Sequence, residues 1–505
     1  MRKRPDDLRS TAGASPRAPQ RDALRLLAER AFTRAAGAPL IGGNAVRLLR
    51  DAPEHLPAFL EAIVRAERSI LLEQYIFADD AVGRELADAL AAKARAGVAV
   101  RFVHDWLGGL REASRRFWRR LEDAGVEVRT FNPPRLDGPL AWLVRDHRKS
   151  LVVDGRVGFV TGLCVAERWL GDPARGVEPW RDTGVEIRGP AVADLGRAFA
   201  DVWAETGAPL LATGDVPPLG DVALRVIASA PATSGLYRID HLVASMARRT
   251  LWITDAYFVG TASYVQSLRA AALDGVDVRV LVPGQSDLGV VKRLSVAGYR
   301  PLLDAGVRIF EWNGPMLHAK TAVADGRWAR VGSSNLNLSS WLANWELDVA
   351  VEDERFGREM EAAYEQDLTR ATEIVLGAHR RRRRPRGPRS RAPHRRREGS
   401  AVVAAGALRL GNAVGAALGG YRVLGPAEAR LLTIAAVLLL ALGSVALVWP
   451  RVAAVPPAIL AVWLAVALLV KARQLRRARR DEASGDDRAR ARGGAGAEGF
   501  TDGDR

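Results

Sequence analysis

Two short stretches carry the residue types of a reaction. His147-Arg148-Lys149 is followed by Ser-Leu-Val-Val and Asp154, and His318-Ala319-Lys320 by Thr-Ala-Val-Ala and Asp325. The chain has seven histidines, and only six of its 74 basic residues are lysines. One H-x-K-x₄-D match by chance is expected in about 1 in 100 such chains, and two in register far less often. Two imidazoles supply a nucleophile and a general acid, the pair of roles that covalent phosphoryl transfer requires. Two ammonium groups with nearby polar donors make a phosphate-sized anion cradle. Such chemistry rests on positioning and charge, so it needs neither metal nor cofactor. A lone strand histidine reads as a packed core residue; a doubled set does not.

The elements around these residues explain the spacing. Each set lies on an apolar strand, where residues i and i+2 share a face, so His and Lys point the same way. Asp154-Gly155 and Asp325-Gly326 stand between apolar runs, the strongest short hairpin signal. A two-residue turn pairs Ala324 with Arg327 and, counting back, sets Ser333 opposite His318 with Asn335 two places along the same face. The same count sets Gly162 opposite His147, with Cys164 at the place of Asn335. Larger segments repeat too. AERSILLEQYIF (Ala66–Phe77) returns as ARRTLWITDAYF (Ala247–Phe258), and LEDAGVEVRTFN (Leu121–Asn132) as LLDAGVRIFEWN (Leu302–Asn313). A period near 180 residues marks a duplicated domain, and the alternation of apolar strands with amphipathic helices marks an α/β fold.

Outside this unit the composition changes. The chain has 505 residues, 26% of them charged, with a net charge of +16 and one cysteine, which excludes an intrachain disulfide framework. Residues 1–40 form an Arg/Ala-rich extension without the pattern of a secretory signal. Residues 41–215 and 216–376 are the two halves, 377–400 an Arg-rich linker and 401–425 a weakly apolar, interfacial segment. Leu431–Pro450 and Val452–Val470 lack an internal charge apart from their junction, and each approaches the ~20 residues that span a bilayer. They predict a membrane hairpin over 431–470, followed by a basic and polar tail over 471–505. Eleven arginines in Arg380–Arg397 and six basic residues in Lys471–Arg480 exceed the net charge between them. By the positive-inside rule both flanks, and the repeat unit with them, are cytoplasmic. Anionic lipid headgroups are the natural partners of these collars.

The duplicated H-x-K-x₄-D followed by G-S-x-N resembles the phospholipase D superfamily. GNAVRLL from Gly43, LLEQYIFADDAVG, WRDTGVEIRGPAV and MLHAKTAVADGRWARVGSSNL make the chain similar to the bacterial cardiolipin synthases over about residues 41–370. The resemblance implies a duplicated phospholipase D-like domain, two mixed-sheet α/β/α halves about a pseudo-two-fold. Its implied catalytic set is His147, Lys149, Asp154, His318, Lys320 and Asp325. One histidine forms a phosphohistidine and the other protonates the leaving alcohol. Family likeness favours His147 as nucleophile and His318 as acid, an assignment the sequence alone leaves open. Lys149 and Lys320 hold phosphate, and Asp154 and Asp325 support. Gly162, Ser333, Asn335, Glu346 and Asp182 complete the implied phosphate-binding and supporting set. The implied substrates are phospholipids, with phosphatidylglycerol first, at a bacterial cell membrane crossed by a multi-pass protein. Hydrolysis to phosphatidic acid and a superfamily nuclease are the alternatives; the apolar hairpin argues against nucleic acid. The chain departs from the family at Thr161–Cys164, where a run ending in asparagine is usual, and at Ser339-Ser340, where Arg-Ser is common.

Overall fold

A computed structural model describes residues 17–134, 144–210, 216–231 and 233–375, together with Leu440. The linker 377–400, the segment 401–425, the hairpin 431–470 (Leu440 apart) and the tail 471–505 lie outside the described residues. Among the described residues no helix is long and apolar enough to cross a membrane.

The first half runs α1 (Arg17–Ala36), β1 (Ile41–Arg50), α2 (Asp51–Val64), β2 (Ser69–Gln74), α3 (Ala81–Arg95), β3 (Ala99–Asp105), α4 (Trp106–Gly109), α5 (Arg115–Asp123), β4 (Glu127–Phe131), β5 (Ser150–Val153), β6 (Val157–Thr161), α6 (Glu167–Leu170), β7 (Thr183–Arg188) and α7 (Ala191–Glu205). The second runs β8 (Val222–Ser229), α8 (Gly235–Met246), β9 (Thr250–Thr254), α9 (Ala262–Leu273), β10 (Asp277–Pro283), α10 (Gly289–Leu303), β11 (Arg308–Trp312), β12 (Thr321–Ala324), β13 (Trp328–Gly332), α11 (Leu338–Leu342), β14 (Glu346–Glu352), α12 (Glu354–Leu368) and β15 (Ala371–Ile374).

The described strands form one mixed sheet in the order β15-β11-β10-β9-β12-β13-β14-β8-β1-β7-β6-β5-β2-β3-β4. Leaving β15 aside, the order reads the same from both edges. β8 answers to β1, β14 to β7, β13 to β6, β12 to β5 and β9 to β2. The duplication therefore meets edge to edge at β1 and β8, which pair antiparallel, and the two halves share one sheet. Joining the edges buries backbone groups that two separate sheets would leave unpaired.

Parallel β2, β3 and β4 are linked by α3 and α5, and parallel β9, β10 and β11 by α9 and α10. Crossover helices cover parallel strands, which explains the nearly continuous apolar runs at Ile70–Leu72 and Val280–Val282. The helices begin where short polar side chains accept orphan amides: Asp80 from Gly83, Ser114 from Phe117, Thr261 from Tyr264 and Asp353 from Phe356. One apolar core crosses the join, with Phe199 and Trp203 of α7 and Phe356 and Tyr364 of α12 over both halves. The opposite face is filled separately in each half, around Phe59 and Phe102 in the first and Leu268 and Leu302 in the second. The helix α1 packs on the second half: Thr33 Oγ1 accepts from the buried Arg225 at 2.8 Å.

The hairpins correct the expected register. Asp154, Gly155, Asp325 and Gly326 have positive φ, and Arg327 N–H closes onto Ala324 O at 3.1 Å, as a tight Asp-Gly turn requires. The ladder resumes one residue later, however, with Ala324 opposite Trp328 and Val153 opposite Val157. Arg327 and Arg156 are the extra residues, each a one-residue bulge after its turn. Carried back, this register sets Ser333 opposite Ala319 and Gly162 opposite Arg148, not opposite the histidines. A one-residue slip reverses faces.

Candidate active site

Each H-x-K segment enters its strand along the seam between the halves, strapped to the opposite half. His147 N–H donates to Trp345 O at 2.9 Å, and Trp345 N–H to Arg145 O at 2.8 Å. Symmetrically, His318 N–H donates to Arg181 O at 2.7 Å, and Arg181 N–H to Met316 O at 2.9 Å. The acidic residues follow directly. His147 Nδ1 lies 3.0 and 3.1 Å from the Glu346 carboxylate oxygens, and His318 Nδ1 lies 2.8 Å from Asp182 Oδ2. The pairs are crossed: each half lends its carboxylate to the other half's histidine. A carboxylate only accepts, so Nδ1 carries the proton in both neutral rings and Nε2 keeps the lone pair.

The electrostatics follow from burial. Glu346, Asp182, Lys149 and Lys320 are fully buried. Desolvation lowers the pKa of His147; Glu346 opposes the shift and Lys149 adds to it. Desolvation, with the neighbouring Lys320 charge, lowers His318 to about 4. Burial pushes Glu346 and Asp182 upward, but the paired histidines and adjacent lysines outweigh it and hold both below the usual carboxylate range. The His318–Asp182 pair shares a single proton, and its direction is an ionised carboxylate beside an imidazole that resists charging. Burial brings Lys320 down to about 8, against the attraction of Asp182. Both lysines donate to the backbone carbonyl of their own histidine. Lys149 sits 5.1 Å over the Tyr75 ring and Lys320 5.9 Å over Tyr257. Tyr75 also meets His147 edge-on at 4.9 Å, and Tyr257 meets His318 at 6.0 Å.

The two pairs are braced differently. Ser333 Oγ donates to Glu346 Oε2 at 2.6 Å and accepts Leu347 N–H at 2.9 Å. The GSSN hydroxyl thus serves the histidine of the other half, not the neighbouring His318 as the sequence count implied. Gly162 occupies the matching place, its N–H on Thr183 O as Ser333 N–H is on Leu347 O. A Cβ at Gly162 would press on the whole Asp182 carboxyl group, with Cγ at 3.1 Å and Oδ2 at 3.3 Å. The shorter acid therefore requires glycine, and the Trp169 indole replaces the missing hydroxyl, donating to Asp182 Oδ2 at 3.2 Å. Asn335 is buried with its Oδ1 unpartnered, and its N–H donates to Ser340 Oγ. Cys164 is buried among Leu163, Ala166 and Trp169, and desolvation raises its thiol pKa, against the Lys149 charge.

Asp154 and Asp325 stand apart from these pairs. Asp154 accepts the amides of Glu67, Arg68 and Ser69 at 2.7–2.9 Å, and Asp325 those of Arg248, Arg249 and Thr250 at 2.7–3.2 Å. Each staples its hairpin turn to the start of β2 or β9, at the far end of the strand from the histidine.

Sequence reasoning missed several supporting residues. The buried Arg148 guanidinium binds Glu346 O at 3.1 Å, Ala198 O at 2.6 Å and Ser229 O at 3.0 Å. Arg181 binds Asp367 at 2.8 and 3.0 Å and Asp51 at 3.3 Å. Asp255, which burial pushes up to about 7, accepts Tyr257 N–H at 2.9 Å and Leu336 N–H at 2.7 Å, joining the loops that carry Tyr257 and Asn335. Arg148 and Arg181 each adjoin a singled-out residue, but nothing in the spacing distinguishes them from surface arginines.

A duplicated α/β unit with two His/Lys sets and two crossed carboxylates at its seam defines the phospholipase D-like class. Comparison agrees. The family model described as "Cardiolipin synthase, PLD-like domain" matches residues 59–169 and 243–368. A cardiolipin synthase of Alkalihalophilus pseudofirmus is 33% identical over 345 residues, 66% of this chain and 68% of that one. Cardiolipin synthase A of Pseudomonas aeruginosa is 36% identical over 361 residues, covering 68% and 71%. The chain belongs to the PLD-like cardiolipin synthase family. The crystal structure of phosphatidylserine synthase from Haemophilus influenzae shares the fold, with a TM-score of 0.55 at 15% identity over 69% of this chain and 92% of that one.

Proposed function

We propose that the protein is a phosphatidyltransferase of the cardiolipin synthase type, with phosphatidylglycerol as substrate. The observation that carries this is the crossed pair of carboxylate-bound histidines, each with a buried lysine two residues along the segment that leads into its strand. In the first step Nε2 of His147 attacks the phosphatidyl phosphorus. The N–P bond forms as the P–O bond to the leaving alcohol breaks, and His318, held protonated on both nitrogens by the bound phosphodiester anion and the ionised Asp182, gives that oxygen its Nε2 proton. In the second step the hydroxyl of another lipid attacks, its proton passes to His318, and the N–P bond breaks. A histidine that desolvation keeps neutral is ready as a nucleophile, and one beside an ionised Asp182 is supported when it charges. Lys149 and Lys320 balance the phosphate oxygens, and Gly162 and Ser333 set the two acids. Asp154 and Asp325 act through the scaffold. The apolar stretches 431–450 and 452–470 support a membrane hairpin with both flanks and the catalytic unit on the cytoplasmic side.

Membranes containing the protein, given labelled phosphatidylglycerol, are expected to yield cardiolipin and glycerol, and a His147→Ala variant neither. Phosphatidic acid in place of cardiolipin would mean that water resolves the intermediate. A phosphatidyl adduct on His147, trapped in a His318→Asn variant, supports the order of roles; an adduct on His318 in the converse variant reverses it.

A further inference from the structure

The strand ends beside the histidines open into four arms, and the duplication makes them equivalent in pairs. One arm follows β3 and its counterpart follows β10; another follows β6 and its counterpart follows β13. Each carries large apolar side chains turned to solvent: Leu107 (40% exposed) and Leu110 (49%) after β3, Leu288 (42%) after β10, Val177 (48%) after β6, and Leu338 (44%) and Leu342 (47%) after β13. A single exposed leucine is ordinary, but five leucines and a valine on the arms that surround one site are not. Exposed arginines stand among them, Arg111, Arg115 and Arg116 beside the first arm and Arg293 beside the second. The arms also line the chemistry. Trp180, at the end of the Val177 arm, lies 6.1 Å from His318, and Asn337, at the head of α11, donates to Tyr257 O at 3.2 Å.

We propose that these arms form a ring that docks the catalytic face onto an anionic phospholipid bilayer, with the site mouth against the headgroups. Apolar side chains that enter the headgroup–acyl boundary, flanked by arginines that meet phosphate, are the chemistry of interfacial binding. The ring explains how a lipid phosphorus reaches buried lysines while its acyl chains stay in the membrane. This rests on the phosphatidyltransferase reading, and the docking is separable from turnover.

The test uses the full chain reconstituted into phosphatidylglycerol vesicles. The one native cysteine is buried, so an environment-sensitive probe reports a single introduced site. Leu110→Cys and Leu342→Cys sample the ring; Leu273→Cys, exposed at the end of α9 and leading into the start of β10, at the strand ends away from the histidines, is the control. Nitroxide-bearing lipids are expected to quench both ring probes at least threefold more than the control. Equal quenching at all three positions, or none, overturns the proposal, as does shielding of the ring probes by a second copy in lipid-free protein. A Leu107→Asp/Leu110→Asp/Leu338→Asp/Leu342→Asp variant should lose at least tenfold in turnover of vesicle lipid and keep turnover of monomeric short-chain phosphatidylglycerol within twofold. Equal losses on both substrates refute docking. Quenching by a parent protein that turns over neither substrate upholds docking and sinks the phosphatidyltransferase reading.

Discussion

Replacing Gly162 by alanine tests the crossed pairs most directly. The new methyl would lie 3.1 Å from Asp182 Cγ and nearer still to Oδ1. Restoring a carbon–oxygen separation of about 3.3 Å drives the carboxylate back by roughly 1 Å. That carboxylate is held by His318 Nδ1 at 2.8 Å, by the Trp169 indole at 3.2 Å and by Thr183 N–H at 2.8 Å, so it has no slack to absorb the shift. Overpacking of this kind costs about 1–3 kcal/mol of stability, and a reacting group misplaced by about 1 Å costs on the order of 10²-fold in rate. Gly162→Ala is therefore expected to remain folded and lower kcat by about 10²-fold, with KM little changed. Gly158→Ala is the control. Its methyl would crowd the tip of Leu195 in the core, so it should lower the melting temperature and leave kcat per folded molecule unaltered. The measurements are phosphatidylglycerol turnover and thermal unfolding of both variants. A Gly162→Ala enzyme with kcat within threefold of the parent would refute the claim that Asp182 orients His318.

Three further outcomes are expected. Ser333→Ala leaves the buried Glu346 short of a hydrogen bond and should cost about 1–3 kcal/mol in urea unfolding, together with a loss of kcat; unchanged stability and rate would show the hydroxyl idle. Asp154→Asn and Asp325→Asn weaken charged acceptors of three amides each, at about 2 kcal/mol per site, while kcat per folded molecule holds; a specific loss of kcat would move these residues into the chemistry. His104, stacked on Trp118 at 4.1 Å, is lowered by burial to about 4. Folding therefore favours its neutral form: its contribution is complete above about pH 6.5 and is lost as pH falls toward 4, by up to about 3 kcal/mol. His104→Gln should flatten this acid limb in urea melts at pH 7 and 4.5, and an unchanged limb would assign the loss to other groups.

The doubled His/Lys/Asp sets, the strands they lead into and the duplication were legible because they are local. Period-2 alternation, an Asp-Gly turn and a repeated segment are each written within a few consecutive residues. The hairpin count failed by one because a bulge is decided by how Arg327 and Arg156 sit over the turn, and no residue type announces it. Asp182 and Glu346 were picked out as candidates, but their partners were not readable. They lie 136 and 199 residues from the histidines they bind, and nothing in either half's own sequence says that carboxylates cross the seam. The same holds for Trp169, which replaces a serine hydroxyl from an unrelated position, and for Asp255, which joins two loops 81 residues apart.

The sequence by itself determined which His, Lys and Asp side chains recur in the two halves and beside which local elements they stand, since the repeat and the short-range periodicity settle both. Only the tertiary structure decided which carboxylate lies against which imidazole. That choice depends on two sheet edges meeting at β1 and β8, and edge pairing is satisfied by backbone hydrogen bonds that carry no side-chain signature.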